Sequence, residues 1–128
     1  MSWIWIPSRL AIAWHLRLIE QFGGAAGIRD LALLESALDR PRNLAVYDPI
    51  AGAERLAALY GVGVAKAHAF VDGNKRIAFA IMVSFLKAHG LTLDTSEAEA
   101  TAIMVAVAAG TVTEEMLARW LLDHCRRE

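Results

Sequence analysis

A chain of 128 residues is the usual size of one domain, and at 56% hydrophobic and 21% charged it can bury a sizeable core, which excludes a disordered chain. Thirteen cations against 14 anions leave a net charge of −1, so no overall field grips a nucleic-acid backbone, and no basic patch is segregated along the chain. The 24 alanines and 16 leucines favour helix, and an all-α domain is the expectation.

Trp3, Ile4, Trp5 and Ile6 form a short apolar run that suits a brief N-terminal strand. Ser8 is a good N-cap for a first helix, whose apolar positions Leu10, Ala13, Leu16 and Ile19 follow helical spacing up to Phe22. Gly23-Gly24 stops it. Asp30 caps a second helix that carries Leu34, Ala37 and Leu38 and is expected to end before Pro41. Asp48-Pro49 reads as an N-cap and first-turn pair opening a third helix, through Leu56, Leu59 and Tyr60 towards Ala67. Gly61 and Gly63 inside it call for close packing or a bend.

A break follows at Phe70-Val71-Asp72-Gly73, and a fourth helix begins near Asn74 and ends at Gly90. Over residues 77–86 it is apolar on nearly all sides, which predicts the buried central helix. Leu91-Thr92-Leu93 is a connector or short strand. Ser96-Glu97-Ala98-Glu99 is a capping box for a fifth helix ending at Gly110, and Thr113 caps a sixth reaching about Cys125. No repeat or linker interrupts the pattern, so residues 1–128 read as one bundle of about six helices.

The single cysteine, Cys125, excludes an internal disulfide framework and a multi-cysteine zinc site, and it suits a reducing cytoplasm. The first seven residues lack the basic region of a secretory signal. The 77–86 stretch contains Ser84 and stops at Lys87, too short to span a bilayer. A cytoplasmic protein with neither membrane nor direct nucleic-acid partner is expected.

One place breaks local rules. Helices favour anions at their N-termini and cations at their C-termini, yet Lys75 and Arg76 follow Asn74 at the start of the fourth helix. A bound anion would make that placement favourable. Gly73 allows close backbone approach, and the first helical turn offers free N–H donors. Lys75 supplies a point charge and Arg76 a fork for two phosphate oxygens. Asp72 is a hard carboxylate suited to a Mg2+ shared with phosphate, and His68 offers an imidazole that can take a proton. Phosphoryl or nucleotidyl transfer needs such a set. Taken singly, each residue has a plain reading: His68 as a surface helix-end residue, Asp72-Gly73 as a turn, Lys75 and Arg76 as solvated cations, Phe70 as a core anchor.

Read together, His68-Ala69-Phe70-Val71-Asp72-Gly73-Asn74-Lys75-Arg76 resembles the Fic signature, H-x-F-x-[DE]-G-N-[GK]-R, in the variant with Lys at the eighth position that marks the Doc (death-on-curing) toxins. Gly23-Gly24-Ala25-Ala26-Gly27-Ile28-Arg29-Asp30, then Leu33-Leu34-Glu35-Ser36-Ala37-Leu38 and Arg40-Pro41, is similar to the N-terminal Doc pattern. The likeness covers most of residues 19–90.

The resemblance implies an all-α Fic-like fold and a toxin paired with a small Phd-like antitoxin. Many Fic proteins transfer AMP to a target hydroxyl. Doc-type proteins instead use Mg2+ and ATP to phosphorylate a threonine of elongation factor Tu, which stops translation. Lys75 stands where Fic enzymes carry Gly, and Phe79 where they carry a second Arg; both departures favour the Doc outcome. Carried over, His68 would take the hydroxyl proton and Asp72 would hold Mg2+. Gly73 and Asn74 would donate to phosphate oxygens, while Lys75 and Arg76 would neutralise the transferred group. His15, His89 and His124 lie outside the motif and read as structural or surface. Two alternatives remain: an AMP transferase, and a catalytically silent module that binds an antitoxin.

Overall fold

A computed structural model of the protein describes residues 2–128. Six helices carry the chain: α1 (Ser8–Phe22), α2 (Leu31–Tyr47), α3 (Ala53–Ala67), α4 (Asn74–Ala88), α5 (Glu97–Ala109) and α6 (Glu114–His124). Between α4 and α5, β1 (Leu91–Leu93) pairs antiparallel with β2 (Cys125–Arg127), Leu91 opposite Arg127 and Leu93 opposite Cys125. The fold is all-α apart from this small sheet.

Three caps form where local chemistry calls for them. Asp30 accepts from the Leu33 N–H at 3.1 Å, Thr113 from the Met116 N–H at 3.2 Å, and Ser96 with Glu99 closes a complete capping box. Each satisfies a donor that the first turn of a helix leaves free. Three other boundaries differ from the sequence reading. Ser8 is already helical and Pro7 occupies the cap position with no side-chain bond. α2 runs through Pro41 to Tyr47. Asp48-Pro49 opens no helix; Asp48 closes a turn through Ile50 and Ala51, and α3 starts at Ala53 behind Gly52.

Pro41 is tolerated because α2 packs along α3. Pro41 is buried, and the Ala37 carbonyl, which loses its usual donor to the proline, faces Gly63 of α3. A Cβ on Gly63 would stand 3.5 Å from that oxygen. On the other side of α3, a Cβ on Gly61 would stand 2.9 Å from Met82 Sδ of α4. Close packing accounts for Gly61, whereas a Cβ at Gly63 would make only ordinary contacts.

α3 is the hub. It packs against α2, α4, α5 and α6, and Leu56, Ala57, Ala58, Tyr60, Val64 and Ala65 are almost fully buried. α4 is the second buried helix, with Ile77, Ala78, Ile81, Met82, Phe85 and Leu86 inside, so the centre of the bundle lies one helix earlier than the apolar run suggests. The N-terminal segment forms no strand among the described residues. Trp3 and Trp5 stack on Phe85 at 5.9 Å each, and the backbone N–H groups of Ile4 and Ile6 donate to His89 Nε2 and the Tyr60 hydroxyl at 3.0 Å each.

The inward face of α1 also differs from the expected one. Ala13 and Leu16 are exposed, while Ala11 and His15 are buried. A histidine can occupy a core-facing position when its ring nitrogen has a partner, and here the partner lies in the loop between α3 and α4.

Candidate active site

The signature residues occupy the α3–α4 connection and the first turn of α4. α3 ends at His68, which adopts a left-handed conformation (φ 50°, ψ 40°) and is the one non-glycine residue with positive φ among those described. That conformation is strained for a residue bearing a Cβ, and the surroundings hold it. Arg29 Nη2 donates to the His68 carbonyl at 2.7 Å, while the Arg29 and Asp30 N–H groups donate to the Ala69 carbonyl at 2.7 and 3.0 Å. The Val71 N–H donates to the Gly27 carbonyl at 3.1 Å, and Ile28 bridges Phe70 antiparallel. Residues 27–30 thus brace the loop like a short added strand, leaving the His68 side chain exposed.

Phe70 is 2% exposed and anchors the loop in the core, as expected of it. Asn74 does not cap α4. Its side chain clamps Phe70 in both directions: Oδ1 accepts the Phe70 N–H at 3.1 Å and Nδ2 donates to the Phe70 carbonyl at 3.0 Å. The clamp takes Oδ1 and one hydrogen of Nδ2, which leaves the main-chain N–H and the second amide hydrogen for a ligand.

Asp72 is exposed and doubly held. Its Oδ1 accepts the Gly73 N–H at 2.8 Å and its Oδ2 the Ala25 N–H at 3.3 Å. The Gly73 N–H first, then that of Ala25, and more weakly the Arg76 charge keep the carboxyl below its ordinary pKa. The Gly73 N–H is thereby engaged by Asp72, and a phosphate would have to compete for it.

Gly73, left-handed at φ 75°, precedes α4, and its carbonyl accepts the Ile77 N–H at 3.0 Å. The N–H groups of Asn74, Lys75 and Arg76 are then the free donors of the first turn, with no side chain capping them. Lys75 and Arg76 are both exposed and make no ion pair among the described residues. The Arg76 guanidinium lies 4.5 Å over the Phe22 ring in a cation–π contact.

The arrangement can bind an anion, through three amides, the positive end of the α4 dipole and two cations. It can also place one ionised carboxylate beside that anion. No group of three His, Cys, Asp or Glu side chains among the described residues makes a metal cage. A lone carboxylate suits Mg2+ that arrives with a nucleotide, since Mg2+ uses one or two carboxylates together with phosphate oxygens and water. The residues present fit that ion.

Sequence reasoning missed the supports: His15, Gly24, Ala25 and Arg29. Gly24 carried a signal as half of a glycine pair, and His15 as the polar position four residues after Ala11. His89 and His124 are structural, bonded to the carbonyls of Phe85 and Trp120 at 2.7 Å each. No helix among the described residues is long and apolar enough to cross a membrane.

Residues 5–86 match the Fic/DOC family. The chain is also similar to the protein named Toxin Doc of Mycolicibacterium smegmatis, 41% identical over 75 residues, which are 56% of this chain and 56% of that one. The match therefore spans about half the length of that relative.

Proposed function

The chain belongs to the Fic/DOC family, and on that premise we propose that it is the toxin of a type II toxin–antitoxin pair. In this reading it is a Doc-like kinase that transfers the ATP γ-phosphate to a threonine hydroxyl of elongation factor Tu, arresting translation in the cytoplasm. Its partner is a Phd-like antitoxin and its cofactors are ATP and Mg2+. The name of the mycobacterial relative supports the toxin reading.

The first turn of α4 carries the kinase part. Lys75 projects from it, exposed, at the position that AMP-transferring Fic enzymes give to Gly. Phe79, one turn on, packs against the core where those enzymes carry a second Arg. A lysine there crowds the space that a glycine leaves for diphosphate, and the missing guanidinium removes a clamp at the same end. Both favour a nucleotide seated with its γ-phosphate, not its α-phosphate, towards the hydroxyl.

His68 takes the proton of the target hydroxyl as that oxygen bonds to the γ-phosphorus. The bond from this phosphorus to the β–γ bridging oxygen breaks and ADP leaves. The Asn74, Lys75 and Arg76 amides donate to phosphate oxygens, and the Lys75 and Arg76 side chains balance their charge. Asp72 would hold Mg2+, whose chemistry is to neutralise and align the nucleotide phosphates. Gly73 lets the phosphates approach the turn without a Cβ in the way.

Incubation with elongation factor Tu and ATP labelled at either the γ- or the α-phosphate tests the proposal. The expected result is γ-label on a threonine, absent with His68→Ala. Transfer of α-label would make the protein an AMP transferase. Growth arrest that survives His68→Ala, with neither label transferred, would favour the antitoxin-binding module.

A further inference from the structure

His15 lies in α1, outside the signature, and is 3% exposed. Its ring stacks on Phe70 with centroids 3.9 Å apart and planes 16° from parallel, and its Nε2 stands 2.7 Å from the Asp72 carbonyl oxygen. A carbonyl only accepts, so His15 Nε2 carries the hydrogen and donates it.

The Asp72 carbonyl and the Gly73 N–H belong to one peptide unit. That unit is planar and trans, so its C=O and N–H point in opposite directions. With the C=O drawn towards buried His15, the N–H is turned the other way, and there it donates to Asp72 Oδ1 at 2.8 Å. Gly73 puts little resistance of its own in the way of a rotation of this unit, since glycine populates many backbone conformations.

We infer that His15 is a positioning residue of the site: through the Asp72–Gly73 peptide it fixes where the Asp72 carboxylate stands, and so sets how strongly a Mg2+-nucleotide is held. The functional half of this inference rests on the nucleotide reading above; the coupling of His15 to the Gly73 amide does not. The rest of the site has other supports. α4 itself aligns the Asn74, Lys75 and Arg76 amides, and Arg29 braces His68. Loss of the His15 donor should therefore weaken the metal-dependent part of binding alone.

Two variants separate the donor from the stacked ring. His15→Phe keeps a ring against Phe70 and removes the donor, whereas His15→Gln brings an amide N–H near the place of Nε2 and removes the ring. In calorimetry with ATP, His15→Phe should lose about tenfold of the affinity gained from Mg2+, with metal-free ATP bound as by the wild type. His15→Gln should restore most of that gain. Gly73 amide exchange, followed by NMR without nucleotide, should be faster in His15→Phe and return towards the wild-type rate in His15→Gln. Wild-type protein that fails to bind Mg2+-ATP would count against the nucleotide reading, and Gly73 exchange would still decide on His15. Wild-type exchange and Mg2+-ATP affinity in His15→Phe would overturn the inference. So would equal losses in both variants, the mark of a merely structural residue. Should His15→Phe not fold, His15→Gln decides alone: wild-type exchange at Gly73 supports the donor role and fast exchange overturns it.

Discussion

Gly24 stands directly against Asp72: a Cβ on Gly24 would lie 2.6 Å from the Asp72 Oδ2, and the residue has φ +108°. This closeness brings the Ala25 N–H within 3.3 Å of the same oxygen. The turn after α1 is thus shaped to hold a carboxylate that sits far away in the sequence.

Gly24→Ala should therefore damage both fold and site. The positive φ alone costs about 1 kcal/mol or more once a side chain is present, and the contact forces Asp72 or the turn to move. Chemical denaturation should show the stability loss, and calorimetry a weaker Mg2+-ATP affinity. Unchanged Mg2+-ATP affinity in a folded Gly24→Ala protein would remove this turn from the account of Asp72.

Arg29 and His68 give a second prediction. Arg29→Ala removes the donor to the His68 carbonyl and lets the strained residue relax. The transfer rate should fall about tenfold or more, since a base displaced by an ångström loses much of its effect, while ATP affinity stays near that of the wild type. His68→Ala should abolish transfer and keep the fold, because the side chain is exposed. Parallel loss of ATP affinity and rate in Arg29→Ala would contradict a role confined to the base.

The Asp72 carboxyl yields a pH dependence. Its pKa in the folded protein is lowered, chiefly by the Gly73 N–H and then by that of Ala25. Above about pH 4, the ordinary aspartate value, folded and unfolded chains both carry the ionised group and its bonds stabilise the fold in full. As pH falls through the lowered folded value, the unfolded chain is already protonated, and the contribution is lost. The urea midpoint of the wild type should exceed that of Asp72→Asn at pH 6, and the gap should close on acidification below pH 4. A gap that stays constant or widens in acid would contradict the two backbone bonds.

Elements set by neighbours in sequence are legible in the sequence, and those set by distant partners are not. The caps at Asp30, Ser96 and Thr113 are bonds to a backbone N–H three residues on, so residue type and spacing reveal them. Pro41 and Asp48-Pro49 mislead because local rules take no account of the packing of α2 on α3, which carries the helix past the proline. The same contrast divides the site. The segment from His68 to Arg76 announces itself through misplaced cations, a glycine and a carboxylate in a short span. Its supports, His15, Ala25 and Arg29, reach it across the fold by hydrogen bonds to carbonyls and a carboxylate, and such pairings leave no periodic trace. The face of α1 drawn from Leu10, Ala13, Leu16 and Ile19 leaves out His15, which lies on the buried side and so fits the structural half of its reading.

The central claim is that the first turn of α4 binds phosphate, and Lys75 with Arg76 tests it most directly. Both cations sit against the positive end of a helix dipole with no ion-pair partner among the described residues. The measurement is the melting temperature of wild type and of the Lys75→Gln, Arg76→Gln double variant, each alone and with Mg2+-ATP or sulfate. Without ligand the variant should be as stable as the wild type or slightly more so. An anion at a hundredfold excess over Kd should stabilise the wild type by about 2.7 kcal/mol, and the double variant should lose most of that rise. A variant that is much less stable alone yet keeps its full response to ATP would contradict the claim, making the two cations structural and placing the phosphate site elsewhere.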